Sequence, residues 1–160
     1  MYRLLQIVRA NTAELIAEAK KLFLEYAESL GFDLCFQNFD IELDNLTVQY
    51  SPPTGDLFLA LSEGRPFGCV GVRFFEKGTC EMKRLYVRPN FRGSNAGTEL
   101  YKKAIKAGKD MGYERMRLDT LPSMEIANRL YKSSGFVEIE PYRHNPIEGA
   151  IYLELNLSKL

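Results

Sequence analysis

The sequence predicts one α/β domain: a mixed sheet of about seven strands carrying about four helices. Three observations predict it. A chain of 160 residues is one ordinary domain long. Apolar residues make up 46% and charged residues 26%, the balance of a globular protein and not of a disordered, collagenous or fibrous one. The apolar period also switches repeatedly between two and about 3.6 residues, in the order β-α-α-β-β-β-α-β-α-β-β, with no repeat or linker.

Each element has its own signal. Tyr2 to Arg9 is rich in Leu, Ile and Val and reads as a strand. Asn11 or Thr12 caps a helix whose stripe (Leu15, Ile16, Ala19, Leu22, Phe23, Tyr26, Ala27, Leu30) stops at Gly31. Phe36 to Leu46 mixes apolar and acidic residues and is expected to form a short helix. After the turn Ser51-Pro52-Pro53-Thr54-Gly55, strands Asp56–Leu61 and Pro66–Phe75 are joined by a hairpin at Glu63-Gly64-Arg65. Lys77-Gly78 turns into a third strand, Cys80–Val87, which Arg88-Pro89 ends. A helix from about Ala96 to Met111 buries Leu100, Tyr101, Ala104 and Ile105 and closes at Gly112. Glu114–Thr120 alternates as a strand. Ser123 is expected to cap a helix with Met124, Ala127, Leu130 and Tyr131 on one face, ended by Gly135. Phe136–Glu140 and Ile151–Leu157 are the last strands.

Composition excludes several functions. The 21 basic residues equal the 21 acidic ones, so the basic excess of a general nucleic-acid binder is missing. No apolar run reaches the ~18–20 residues of a membrane span, and the first nine residues are too short and charged for a signal peptide. Ser158-Lys159-Leu160 matches a peroxisomal tripeptide at chance level; a cytoplasmic protein is expected. Cys35, Cys69 and Cys80 have no paired spacing, which argues for a reducing compartment and against a zinc site. With His144 the sole histidine, no metal site is expected.

The chemistry concentrates in the loop Arg92-Gly93-Ser94-Asn95-Ala96-Gly97-Thr98 and the helix behind it. Small residues let the backbone approach a ligand, and a helix start offers free N–H groups and a positive dipole end to phosphate. Arg92 adds a charge. The Walker ending Gly-Lys-Ser/Thr is absent, and so is the Gly-x-Gly-x-x-Gly spacing of a dinucleotide site. An ordinary capped turn fits the loop equally well.

This loop resembles the acyl-CoA pyrophosphate motif of the GNAT N-acetyltransferases, Arg/Gln-x-x-Gly-x-Gly/Ala. Arg92 and Gly97 match, while Asn95 stands where the first motif glycine usually is. Asn tolerates a left-handed backbone best among non-glycine residues. The resemblance extends to Leu85-Tyr86-Val87-Arg88-Pro89 and to Asn128-Arg129-Leu130-Tyr131-Lys132-Ser133-Ser134-Gly135-Phe136, and the element order fits over residues 1–160. It implies a GNAT-like acyl-CoA N-acyltransferase fold in which strands 80–87 and 114–120 splay.

The same resemblance implies acetyl-CoA as cosubstrate, with no metal, and a direct transfer to a primary amine of a small molecule or peptide. The backbone N–H near Leu85 would face the thioester oxygen, and Val87 would pair with pantetheine. Gly93, Ser94, Asn95, Ala96, Gly97 and Thr98 would offer amides to the pyrophosphate, beside Arg92, and Asn128 would bond the pantetheine arm. Glu81, eleven residues before Arg92, is expected as general base, the alternative being a surface or salt-bridged glutamate near Lys83. Strand alternation would put it on the face of Leu85. Tyr131 is the expected acid toward the leaving thiolate. Asp119, Thr120, Tyr142 and His144, with Arg143, are candidates at the acceptor. Cys80 is not expected to carry an acyl group.

Two other classes fit the same residues. One is a GNAT-fold module that binds acyl-CoA without catalysis; the other is an unrelated nucleotide-binding α/β domain. Neither nucleic acid nor membrane is an expected partner, and the exposed sheet edges leave a homodimer open.

Overall fold

The computed structural model describes residues 5–31 and 38–160. Residues 2–4 of the first expected strand, Cys35 and the first residues of the second expected helix lie outside them. Seven strands form one sheet: β1 (Leu5–Arg9), β2 (Asp56–Ser62), β3 (Arg65–Glu76), β4 (Thr79–Val87), β5 (Arg115–Thr120), β6 (Val137–Ile139) and β7 (Ile151–Asn156). Their order is β1-β2-β3-β4-β5-β7-β6. The helices are α1 (Ala13–Ser29), α2 (Phe39–Asp44), α3 (Leu46–Gln49), α4 (Ala96–Asp110) and α5 (Glu125–Ser133).

Local chemistry sets most element ends. The Thr12 hydroxyl accepts a hydrogen bond from the Leu15 amide at 3.2 Å and starts α1. Glu63 (φ 51°) and Gly64 (φ 78°) are both left-handed, as a two-residue hairpin between right-twisted strands demands. At Gly108 a Cβ would come within 2.8 Å of Met116 Cε and 3.2 Å of Cys80 Sγ, so the missing side chain lets α4 lie close on the sheet.

Two cores sandwich the sheet. On one face Val70, Val72, Cys80, Met82, Met116, Leu118 and Leu153 pack against Leu100, Tyr101 and Ala104 of α4 and Tyr131 of α5. On the other, Leu57, Leu59, Cys69 and Tyr86 pack against Leu22 and Phe23 of α1, Phe39 of α2 and Leu46 of α3. The alternation read for Glu114–Thr120 holds, with Met116 and Leu118 buried between half-buried charged residues, while β2 is buried along its whole length.

Two elements differ from expectation. The second helix is two short ones, α2 and α3, because Asn45 leaves the helical region (φ −130°) and its side-chain amide donates to the Ile41 carbonyl at 2.7 Å. Ser123 does not cap α5; Met124 stands at that position, with no side-chain cap. The corner is held instead by Asn128, whose amide donates to the Leu121 carbonyl at 2.9 Å.

The centre of the sheet opens. β4 and β5, its parallel pair, match only at Thr79↔Arg115, Cys80↔Met116 and Glu81↔Arg117. Beyond Glu81 they part while β4 continues to Val87 and β5 to Thr120, the splay expected for these strands. β4 also carries a bulge. Gly71 pairs with Lys83 but Cys69 with Tyr86, so β4 spends one extra residue, and Arg84 takes a left-handed φ of 62°. The alternation shifts phase there. Cys80 and Met82 face the α4 core, and so do Leu85 and Val87. Glu81 therefore does not share a face with Leu85, contrary to expectation: an extra residue between them reverses the side chain's direction. Among the described residues no helix is long and apolar enough to cross a membrane.

Candidate active site

The splay divides the candidate residues between the side lined by α4 and α5 and a charged side. On the first, Leu85, Val87 and the α4 loop come together with Tyr131. Asn95 adopts φ 69° and ψ 7°, the left-handed conformation the loop requires, and no side chain caps the first turn of α4. Gly93 is also left-handed (φ 89°), with open space around its Cα. The amides of Ala96, Gly97 and Thr98 begin a 15-residue helix, so its dipole reinforces them. Arg92 is exposed, and its Nε donates to the Val87 carbonyl at 3.1 Å, tying the loop to the end of β4. Left-handed turn, uncapped helix start and basic side chain together fit a diphosphate.

Tyr131 lies 6% exposed between Tyr101 and Phe136, at ring distances of 5.9 and 5.6 Å. Burial, and then the neighbouring Tyr26, Tyr101 and Asp119, push its phenol well above the usual value. The group stays protonated at neutral pH, the state a proton donor needs. The expected pantetheine ligand Asn128 is bonded to Thr120: the Thr120 hydroxyl donates to Asn128 Oδ1 at 2.8 Å. Thr120 is thus tied to α5, whereas its neighbour Asp119 faces the opposite side of the sheet. The two acceptor candidates on β5 are not brought together.

The other side of the sheet holds a buried ionic network. Glu42 of α2, 1% exposed, receives two hydrogen bonds from Arg84, at 2.9 and 2.8 Å, and one from the Tyr50 hydroxyl at 3.1 Å. Arg84 also stacks over Phe39 and Tyr26. Arg73 of β3 bridges Glu42 at 3.3 Å and Glu81 at 3.2 Å. Glu81 further receives the Tyr142 hydroxyl at 2.9 Å and the Arg143 guanidinium, and Lys83 Nζ lies 3.9 Å from it. Lys83 reaches Asp119 at 3.6 Å, and Asp119 accepts from the Asn145 amide at 3.3 Å.

Burial raises the Asp119 carboxyl, but the charges of Lys83, Arg143 and Arg84 outweigh it and hold the group below its usual value. Desolvation lowers Lys83 to about 8, against the opposing pull of Glu81 and Asp119. Tyr142 stacks edge-on against Phe75 and Tyr152, while His144 is exposed. Burial pushes the Cys80 thiol up to about 12, which keeps it a thiol and a poor nucleophile.

Glu42, Arg73 and Arg84 are what reading the sequence missed. One signal was available. Glu81-Met82-Lys83-Arg84-Leu85 places two charges side by side in a strand with apolar neighbours. Only a bulge lets both side chains turn to the same side.

With this geometry in hand, the comparisons are specific. The acetyltransferase (GNAT) family model matches residues 15–136. An uncharacterized N-acetyltransferase of Schizosaccharomyces pombe is 49% identical over 142 residues, 88% of this chain and 87% of that protein. An acetyltransferase of the GNAT family from Staphylococcus aureus Mu50 superposes with a TM-score of 0.77 at 20% identity, over 96% of this chain and 99% of that one. The PaiA N-acetyltransferase of Thermoplasma acidophilum, solved in complex with coenzyme A, gives 0.71 at 15% identity, over 96% and 99%. The chain belongs to the GNAT acetyltransferase family, and it is accordingly an acyltransferase whose family uses acetyl-CoA.

Proposed function

We propose that this enzyme moves the acetyl group of acetyl-CoA directly onto a primary amine, of a small molecule or a peptide, with both substrates bound at once. The observation that carries the reading is the parting of β4 and β5 beyond Glu81, with Leu85 turned by the Arg84 bulge to the side of Tyr131 and the α4 loop. Acetyl-CoA supplies an activated carbonyl. The Leu85 backbone N–H meets the oxygen that takes up charge, and one such donor is worth roughly 3 kcal/mol. The Val87 backbone and the remaining amide hydrogen of Asn128 hold the pantetheine arm. Arg92 and the amides of Gly93 to Thr98 hold the diphosphate.

In the transfer a carbon–nitrogen bond forms, the carbon–sulfur bond breaks, the nitrogen loses a proton and the sulfur gains one. Tyr131 supplies the proton to sulfur and regains one from solvent, while the proton lost by nitrogen passes to solvent water. We assign Glu81 a positioning role: its carboxylate already receives Arg73, Tyr142 and Arg143, and it faces away from Leu85. Asp119 and Tyr142 border the acceptor from the charged side, with His144 at the exposed rim.

Thermal unfolding tests the donor. Acetyl-CoA or CoA at about 100 times its dissociation constant should stabilise by about 2.7 kcal/mol, which raises Tm by roughly 5–10 °C. ATP and NAD should not. Release of free CoA thiol in the presence of a panel of primary amines then tests the transfer. A rise in Tm with ATP or NAD alone overturns the reading.

A further inference from the structure

We propose that the amine acceptor also carries a carboxylate, received by Arg143 and Arg73 in a cavity beside Glu81; this rests on the acetyltransferase reading. The cavity, of about 370 Å³, is lined by Gln49, Arg73, Phe75, Glu81 and Arg143 among others. Two guanidiniums and one carboxylate therefore face it, and both guanidiniums draw on that one carboxylate. Arg73 also reaches Glu42, but Glu42 is already engaged by two hydrogen bonds from Arg84. Lys83 draws on Glu81 as well and on Asp119, so among the described residues four cations of this network (Arg73, Lys83, Arg84, Arg143) meet three carboxylates (Glu42, Glu81, Asp119), and an arriving carboxylate offsets the difference.

A second observation concerns the Arg143 side chain. The Arg143 Nε–H is buried and has no hydrogen-bond partner among the described residues. A buried donor left unmade is rare enough to require a cause, and the guanidinium fork is suited to carboxylates. The Arg143 side chain is also held in place. Its guanidinium lies 5.3 Å from the Tyr142 ring centre and 5.9 Å from that of Phe75, and Glu81 holds one of its terminal nitrogens. The nearby Arg117 is already neutralised by Glu76 and Glu154 and adds no further demand.

Position fixes the shape of the acceptor. Glu81 is the last residue at which β4 and β5 pair, so the cavity adjoins the closed end of the splay, while the reacting carbonyl belongs near Leu85. Four residues of strand separate them, and with about 3.3 Å per residue the amine and carboxylate of the acceptor stand on the order of 10 Å apart. This describes an ω-amino acid or short-peptide-like acceptor, not a polyamine, whose second cation would meet Arg143 and Arg73.

The test compares 8-aminooctanoate with its uncharged amide and with 1,8-diaminooctane, following CoA release, alongside CoA binding by thermal unfolding. The carboxylate compound should have kcat/KM at least tenfold above both others. In R143Q that preference should collapse, chiefly through KM, and R143K should restore part of it. If R143Q does not fold, the ranking of the three amines by the unaltered enzyme decides alone. Equal rates for the acid and amide, or preference for the diamine, overturn the carboxylate site while leaving the acetyltransferase intact. Absence of both turnover and CoA binding sinks the underlying reading instead.

Discussion

Glu81 and Leu85 stand on opposite faces of β4, although four residues separate them, because the strand gains a residue at Arg84. Leu85 joins the core beneath α4, and Glu81 joins a network of arginines on the other side. The bulge thus separates an apolar stretch of the strand from a charged one. Arg84, in its left-handed conformation, donates two hydrogen bonds to Glu42, so α2 is tied to the bulge of β4.

Tyr131→Phe removes a hydroxyl and little volume. We expect kcat to fall about 100-fold, in the range of a lost general acid, with CoA affinity nearly unchanged. Steady-state kinetics and calorimetric CoA binding separate the two effects. Equal loss of both would assign Tyr131 to packing against Tyr101 and Phe136.

Asn95 occupies a left-handed site at the start of α4. Asn95→Gly should retain stability and CoA affinity. Asn95→Val, whose branched side chain disfavours that conformation, should cost about 1–2 kcal/mol and weaken CoA binding. Denaturant melts and CoA titrations of both variants check this; equal behaviour of Gly and Val would mean that the left-handed turn is dispensable.

Glu81→Gln removes the charge that Arg73, Arg143 and Lys83 share. Breaking a buried pair in this way should cost on the order of 3 kcal/mol of stability. The acceptor KM should rise while the acidic limb of the kcat–pH profile persists. Loss of that limb in a folded variant would return Glu81 to the role of proton acceptor.

Lys83 gives the pH dependence a definite sign. Its folded value is about 8, below the ordinary lysine value of ~10.4 that the unfolded chain keeps. Between those values the unfolded state binds more protons, so stability should rise with pH from about 8 toward 10. A difference of one in pKa between the two states is worth about 1.4 kcal/mol, so the full gain is on the order of 3 kcal/mol. Urea unfolding at pH 7.5 and 9.5 should show the rise in the natural chain and its loss in Lys83→Met. A rise of the same size in that variant would exclude Lys83 as its source.

The sequence by itself determined the strands, the two long helices and the left-handed loop that opens α4. Those features are local: apolar spacing assigns a face, Thr12 satisfies its own helix start, and Asn95 fits a left-handed turn whatever surrounds it. The Arg92 to Thr98 pattern, Asn128 and Tyr131 could be singled out as candidates for the same reason, since each belongs to a short contiguous motif. Only the tertiary structure decided the charged side. Glu42, Arg73, Glu81 and Arg143 come from distant stretches of the chain, and their pairing depends on which strands adjoin and which way each side chain turns. The direction of Glu81 relative to Leu85 hinged on one extra residue in β4. The adjacent charges Lys83-Arg84 are a sign of irregularity but do not locate the extra residue, so the face of every residue beyond it is set by the pairing with β3 and by the carboxylate of Glu42 that anchors Arg84.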